Sequence, residues 1–312
     1  MKTNQSATVG EKLQTAAFSF AQKGIESPRL EAEILLAHLL KTNRAGLFAR
    51  LRDNFPEEKE QPWQDYIQKR LQNWPHQYIT EEEEFYNLPF RVTPAVLIPR
   101  PETEELVTIV LHHLEKMKPP QNQNPQAVTI IDVGTGSGVI AVSIAHTFMT
   151  KSNIHTKTSD KKSLQIIAID ISPEALAIAQ ENANSNQVDH LIQFQQGDLL
   201  AAPAKQGRGE EKVHIIVSNP PYIESNTIKS LQKEVRQHEP HRALDGGPDG
   251  LDLYRRLIPQ AAQKLHPQGL IALEIGYNQG QAVKELLQQA NFQNIQIHQD
   301  YQNHDRIVTA TK

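Results

Sequence analysis

VTIIDVGTGSG, Val128–Gly138, is the stretch on which the fold turns. Four of its first six residues are apolar and five are β-branched, without the polar alternation of a half-exposed strand, which predicts a strand buried on both faces. The strand runs through Asp132 into Gly134, Thr135, Gly136, Ser137 and Gly138, and Val139–Phe148 then reads as a helix. Glycines at alternate positions allow a tight strand-to-helix turn and let a ligand approach the backbone near a helix N-terminus. The spacing is G-x-G-x-G, with Val139 where the dinucleotide fingerprint has its last glycine, and no Lys-Ser or Lys-Thr pair follows as in a P-loop.

Downstream the α/β alternation continues. LQIIAID (164–170) predicts a strand, Pro173–Asn184 a helix, and LIQFQ (191–195), VHIIVSN (213–219) and LIALEI (270–275) further strands, with a helix around Leu251–Leu265. The tail adds a helix at Gln279–Ala290 and strands at Ile295–His298 and Arg306–Thr309. Unbroken apolar strands alternating with helices imply a mostly parallel sheet covered on both faces, with its chemistry beyond the strands' carboxyl ends. Asp170 ends the second strand, where a carboxylate can accept from both hydroxyls of a ribose. Its distance from the glycines exceeds the usual twenty or so residues, and the polar run Thr150–Lys162 accounts for the excess as an insertion. A nucleoside-bearing cofactor fits this pair of features, and a pyrophosphate is not demanded.

The strand VHIIVS leads into Asn219, Pro220, Pro221 and Tyr222. Two consecutive prolines fix the chain and remove two donors, so the Asn219 amide and neighbouring carbonyls are presented rigidly. Together they can accept both N–H bonds of a substrate NH2 group, while Tyr222 covers its flat face.

Upstream of the sheet the character differs. Before residue 90 the pattern is helical: Ser27 is a candidate cap with Pro28 behind it, followed by Leu30, Ile34, Leu35, His38 and Leu39, and a second stripe holds Trp63, Ile67, Arg70, Leu71 and Trp74. EEFYN and PFRVT around Asn87 predict a hairpin or extended connection. After Pro101, Leu106, Val107, Val110 and Leu111 mark a helix that ends before the loop PPQNQNPQ (119–126). The expected division is a helical domain over 1–80, a β-hairpin linker over 81–97 and an α/β domain over 98–312.

Composition narrows the function. Of 312 residues, 32 are Lys or Arg against 36 Asp or Glu, a formal net charge of -4, so a phosphate-binding face would need strong segregation of charge. The densest basic stretch, HTKTSDKKS (155–163), is short and polar. The chain has no Cys, which removes disulfides and thiolate chemistry and fits a reducing compartment. MKTNQSATVGEK lacks an apolar core and no apolar run approaches 18 residues, so a signal peptide or membrane span is not expected, and cytoplasmic localisation is. His238 and His241 flank Glu239, but Pro240 breaks any helix face they could share, and a loop is expected there instead of a metal site. The acidic run Glu81–Glu84 reads as a solvated face.

DVGTGSG, the acidic strand end IAID and SNPPY resemble class I S-adenosylmethionine-dependent methyltransferases that modify a planar nitrogen. Within these the chain resembles the protein N5-glutamine methyltransferases that act on peptide chain release factors, over nearly its whole length. SPRLEAEILLAHLL (27–40) and the segment 70–107, with IPRPETE at Ile98–Glu104, resemble that family's N-terminal module and linker. GDLL (197–200), HEPHRALDGGPDGLDLYRRLI (238–258) and LEIGYNQG (273–280) resemble its later motifs. The resemblance implies a Rossmann-like class I methyltransferase fold with a seven-stranded, mostly parallel sheet, S-adenosyl-L-methionine as cofactor with S-adenosyl-L-homocysteine as product, and no metal. It implies Gly134, Gly136 and Gly138, with Thr135 in the same turn, at the methionine part of the cofactor and Asp132 near its amino group. Asp170 is implied at the ribose, Asp198 at the adenine amino group, and Arg100 and Thr103 in a segment closing over the cofactor. Asn219 and Pro220 are implied as acceptors for a substrate glutamine amide, with Pro221 and Tyr222 completing its site. The implied partners are bacterial-type release factors 1 and 2, modified at the glutamine of a Gly-Gly-Gln loop, with the enzyme a monomer and no direct nucleic-acid target. Alternatives are an exocyclic amino methyltransferase of DNA or RNA and a noncatalytic adaptor; intact glycines, Asp170 and SNPPY together disfavour the adaptor, and the charge balance the nucleic-acid enzyme. The sequence departs from the family where a usual glycine is Asn73 and where another is Glu81, changes expected to alter turn geometry. Leu200 stands where an aromatic is frequent, which is expected to weaken stacking on the adenine edge.

Overall fold

The computed structural model describes residues 7–117, 128–154, 163–201 and 212–312. The loop 119–126 and most of the polar insertion 150–162, with its basic stretch, lie outside the described residues. Two compact units divide the chain, one spanning residues up to Glu82 together with Gln232–His238, the other Glu83–Leu231 and Glu239–Lys312.

The smaller unit is helical: α1 (Val9–Lys23), α2 (Pro28–Leu39), α3 (Arg44–Ala49), α4 (Glu60–Leu71) and α5 (His76–Thr80). Thr8 and Glu11 form a reciprocal capping box at the start of α1, and Gly24 ends it with φ 77°. Ser27 does not cap α2 through its side chain: it sits at φ 48°, so Pro28 at the first helical position sets the entry. Leu30 on the expected face is exposed, and the helix instead buries Ala32, Leu35, Leu36 and Leu39 against Leu13, Phe20, Leu47 and Trp63. Arg70 is not part of an apolar stripe. It is buried and bonded to Glu31 at 2.6 Å and to Glu234 at 3.3 Å, and Glu31 also meets His76 at 3.0 Å. A buried guanidinium with two carboxylate partners explains how residues 232–238, remote in sequence, join this unit.

Asn73 and Glu81 hold φ 64° and φ 57°. Both residues therefore sit in the left-handed backbone that glycine adopts at least cost. Asparagine tolerates this region, whereas a glutamate strains it by about 1 kcal/mol or more. Glu81→Gly is accordingly expected to stabilise the protein by about 1 kcal/mol, less the entropy that glycine adds to the unfolded chain, with a smaller gain for Asn73→Gly. Chemical denaturation checks this; a loss of stability in Glu81→Gly would contradict it.

The larger unit opens with the hairpin β1 (Glu82–Phe85) and β2 (Leu88–Arg91), turned by Tyr86 and Asn87 at φ 53° and 58°. Phe85 and Phe90 are buried in the same core as Leu106, Val110 and Ile144, so the hairpin belongs to the α/β unit and is not a free linker. Then follow α6 (Thr103–Lys116), β3 (Val128–Val133), α7 (Val139–Ile154), β4 (Leu164–Asp170), α8 (Pro173–Ser185), β5 (Ile192–Gln196) and β6 (Val213–Ser218). After α9 (Lys233–His238), which packs with the helical unit, come α10 (Asp252–Lys264), β7 (Leu265–Glu274), α11 (Gly280–Gln289), β8 (Gln293–Gln299) and β9 (Asp305–Thr311).

The seven strands are ordered β5-β4-β3-β6-β7-β9-β8, parallel except where β9 pairs antiparallel with β7 and β8. Two apolar cores lie on the sheet, one around α6 and α7 and the other around α10 and α11. The chain moves outward one way from β3 through β4 and β5, and the other way from β6 through β7. The reversal opens a crevice beyond the carboxyl ends of β3 and β6.

Candidate active site

A cavity of about 390 Å³ occupies that crevice, within the range of small-molecule sites. Gly134, Thr135 and Gly136 line it after β3, Asp170 after β4, Asp198 and Leu199 after β5, and Asn219, Pro220 and Pro221 after β6; Thr103 borders it from the start of α6. Gly134 and Gly136 have φ 72° and 55°, and a Cβ on either would project into open space, so the turn offers bare backbone to a ligand. Gly138 serves packing instead: a Cβ there would lie 3.1 Å from that of Ala179 on α8, and Gly138 does not line the cavity.

Asp170 organises the rim. Its Oδ2 accepts from the Gly136 amide and its Oδ1 from the Ser172 amide, both at 2.9 Å, which leaves each oxygen a further lone pair for a hydroxyl. Asp198 is exposed and ion-paired with Arg256. Leu199 reaches the cavity, whereas Leu200 packs against the core around α10.

Asp132 lies behind the turn and does not line the cavity. It is fully buried, its Oδ2 accepts the Thr135 hydroxyl at 2.7 Å, and burial pushes its carboxyl up to about 7, only partly offset by Thr135 and the Ala141 amide. Arg100 is also off the wall, paired with buried Glu239 at 2.6 Å. Among the described residues no group of three or more His, Cys, Asp or Glu side chains could hold a metal ion.

Around Asn219 a network appears that no local motif announces. The Asn219 Nδ2 faces Thr103 Oγ1 at 3.1 Å, and the Thr103 hydroxyl donates to Glu274 Oε2 at 2.7 Å. Tyr222, mostly buried and outside the cavity lining, directs its hydroxyl to Glu274 Oε1 at 3.4 Å. Burial pushes the Glu274 carboxyl up to about 7 and the Tyr222 phenol well above its usual range. Gln279 donates to the Tyr222 carbonyl at 2.9 Å, and Gly250 packs so closely there that a Cβ would approach the same carbonyl at 2.4 Å. The LEIGYNQG and DGGPDG segments therefore act together as the mould of the Asn-Pro-Pro-Tyr turn.

Asp132 and Glu274, like buried Glu239, have raised pKa, and this makes stability depend on pH. The folded state keeps protons that the unfolded chain releases above about 4, so their contribution is greatest at low pH, is lost as pH rises, and is gone above about 7. Half-buried His113, His214 and His298, all with lowered pKa, oppose this below about 6.5, so the informative quantity is the difference between a variant and the parent. Asp132→Asn is expected to raise the melting temperature relative to the parent at pH 8 and to change it little at pH 5; an equal effect at both would contradict the assignment.

A glycine turn of bare backbone, an acidic rim with free acceptors and an Asn-Pro-Pro-Tyr turn at the switch point of a seven-stranded sheet define a class I S-adenosylmethionine-dependent methyltransferase. Residues 125–302 match the methyltransferase domain family, and residues 11–80 match the PrmC N-terminal domain family. The release factor glutamine methyltransferase of Moorella thermoacetica is 43% identical over 305 residues, covering 97% of this chain and 98% of the relative. That of Bacillus cereus is 38% identical, covering 89% and 90%. The chain belongs to the release factor glutamine methyltransferase family. A crystal structure of a release factor-specific protein-(glutamine-N5) methyltransferase from Alicyclobacillus acidocaldarius aligns with 28% identity and a TM-score of 0.38, covering 72% of this chain and 99% of that one.

Proposed function

We propose that this methyltransferase modifies the side-chain amide nitrogen, N5, of the glutamine in the Gly-Gly-Gln loop of release factors 1 and 2, acting as a cytoplasmic monomer. The observation that carries this reading is that the Asn-Pro-Pro-Tyr turn and the glycine turn face one cavity from adjacent strands. No helix among the described residues is long and apolar enough to cross a membrane.

S-adenosylmethionine fits the site: Asp170 would hold the ribose hydroxyls, Asp198 the adenine amino group, and the backbone of Gly134, Thr135 and Gly136 the methionine end. Bound there, it supplies a strongly electrophilic sulfonium methyl. Gly138 and Asp132 support the turn from behind, and Arg100 with Glu239 anchors the segment before Thr103. The Asn219 Oδ1 and the Pro220 carbonyl would accept the two N–H bonds of the substrate amide, with Pro221 on the wall and Tyr222 holding the turn from behind. An amide nitrogen is a poor nucleophile because its lone pair is delocalised. The chain's contribution is therefore alignment in a dry site, plus acceptors that stabilise positive character as it grows on nitrogen.

The helical unit would dock the body of the release factor, which predicts a much lower KM for intact factor than for a short Gly-Gly-Gln peptide. Labelled methyl offered to a mixture of release factor and transfer or ribosomal RNA is expected in protein. Label in the nucleic acid would overturn the reading in favour of an exocyclic amine.

A further inference from the structure

Buried Glu274, the last residue of β7, is 171 positions from its hydroxyl donor Thr103 and does not itself line the cavity. It is 1% exposed and Thr103 is 2% exposed, so water does not substitute for either partner. The threonine hydroxyl has one proton and two neighbours. The short contact to Glu274 Oε2 takes the threonine proton, and the hydroxyl oxygen is left to accept from Asn219. The Asn219 atom at 3.1 Å must then be its NH2 nitrogen. The other end of the amide, the acceptor Oδ1, is thereby turned away from Thr103 and left for a donor. The second carboxylate oxygen takes the Tyr222 hydroxyl, and the Glu274 carbonyl is held by the Tyr254 hydroxyl at 2.7 Å.

We infer that Glu274 is a positioning residue for methyl transfer, which through the Thr103 hydroxyl sets the end of the Asn219 amide that meets the substrate. This rests on the reading of Asn219 as the acceptor for a substrate amide. Without the carboxylate, the threonine proton is free to point at Asn219 and hold its Oδ1, which presents NH2 to an incoming NH2 group, donor against donor.

The test is a double-mutant cycle read by single-turnover methylation of intact release factor, with cofactor affinity and melting temperature as folding controls. Thr103→Val and Glu274→Met, each close to the parent in volume and neither able to take part in the hydrogen bond, are expected to lower the rate about 10- to 100-fold with a smaller change in KM for release factor. Thr103→Ser, which keeps the hydroxyl, should recover most of the loss. In an Asn219→Ala background, where no amide remains to orient, Thr103→Val and Glu274→Met should cost almost nothing further. A merely structural pair would instead multiply its full factor onto that of Asn219→Ala, and that additive outcome would overturn the relay while leaving Asn219 in its role. If Asn219→Ala alone leaves the rate near normal, the underlying reading of Asn219 falls, and the relay with it.

Discussion

Asn219→Ala is expected to lower single-turnover methylation of release factor about 10²- to 10³-fold, the usual cost of one well-aimed hydrogen bond made in the transition state. Its Oδ1 would accept an N–H whose acidity grows as the nitrogen becomes positive, so the bond strengthens along the reaction and its loss falls on kcat. Cofactor affinity should change little, because the turn after β3 and the rim at Asp170 do not depend on the amide. Asn219→Asp keeps an acceptor but places a charge beside a half-buried turn and near Glu274, and it is expected to be impaired as well. A near-normal rate in folded Asn219→Ala at saturating substrate and cofactor would remove Asn219 from its proposed role.

Asp170→Ala is expected to weaken binding of S-adenosylmethionine and S-adenosylhomocysteine alike, by about 10²-fold or more. Two charge-assisted hydrogen bonds to the ribose would be lost, each about 1.5 to 3 kcal/mol. The same substitution frees the Gly136 and Ser172 amides, so the turn that carries the methionine end loses its tether. NAD is expected not to bind, since Val139 stands where the dinucleotide turn needs glycine. Calorimetry decides both points; undiminished S-adenosylmethionine binding by Asp170→Ala, or tighter binding of NAD, would contradict the assignment.

The elements that carry this chemistry were readable in the chain because each is local. An apolar strand, a glycine turn and a helix follow one another within Val128–Phe148, and the rigidity of Asn219–Tyr222 comes from two adjacent prolines. What escaped sequence reasoning depends on pairs distant along the chain. Glu274 lies in a quoted motif, LEIGYNQG, but only the fold puts its carboxylate on Thr103 and Tyr222. Arg70 fell on a helical face read as apolar, and its partner Glu234 lies 164 residues away. The resemblance implied Gly138 and Asp132 at the cofactor along with the rest of the turn, and a motif by itself does not say which of its residues face the cavity. The positive φ of Asn73 and Glu81 had a usable signal: glycine is usual at both positions in the resembled family, and a position that favours glycine is one where the backbone is left-handed.

When the protein is incubated with labelled S-adenosylmethionine and a purified release factor and the label is mapped by peptide mass spectrometry, a single methyl is expected on the side-chain amide nitrogen of the Gly-Gly-Gln glutamine, absent when that glutamine is replaced. Methyl on any other residue of the factor, or none on the factor under conditions where the cofactor binds, would contradict it.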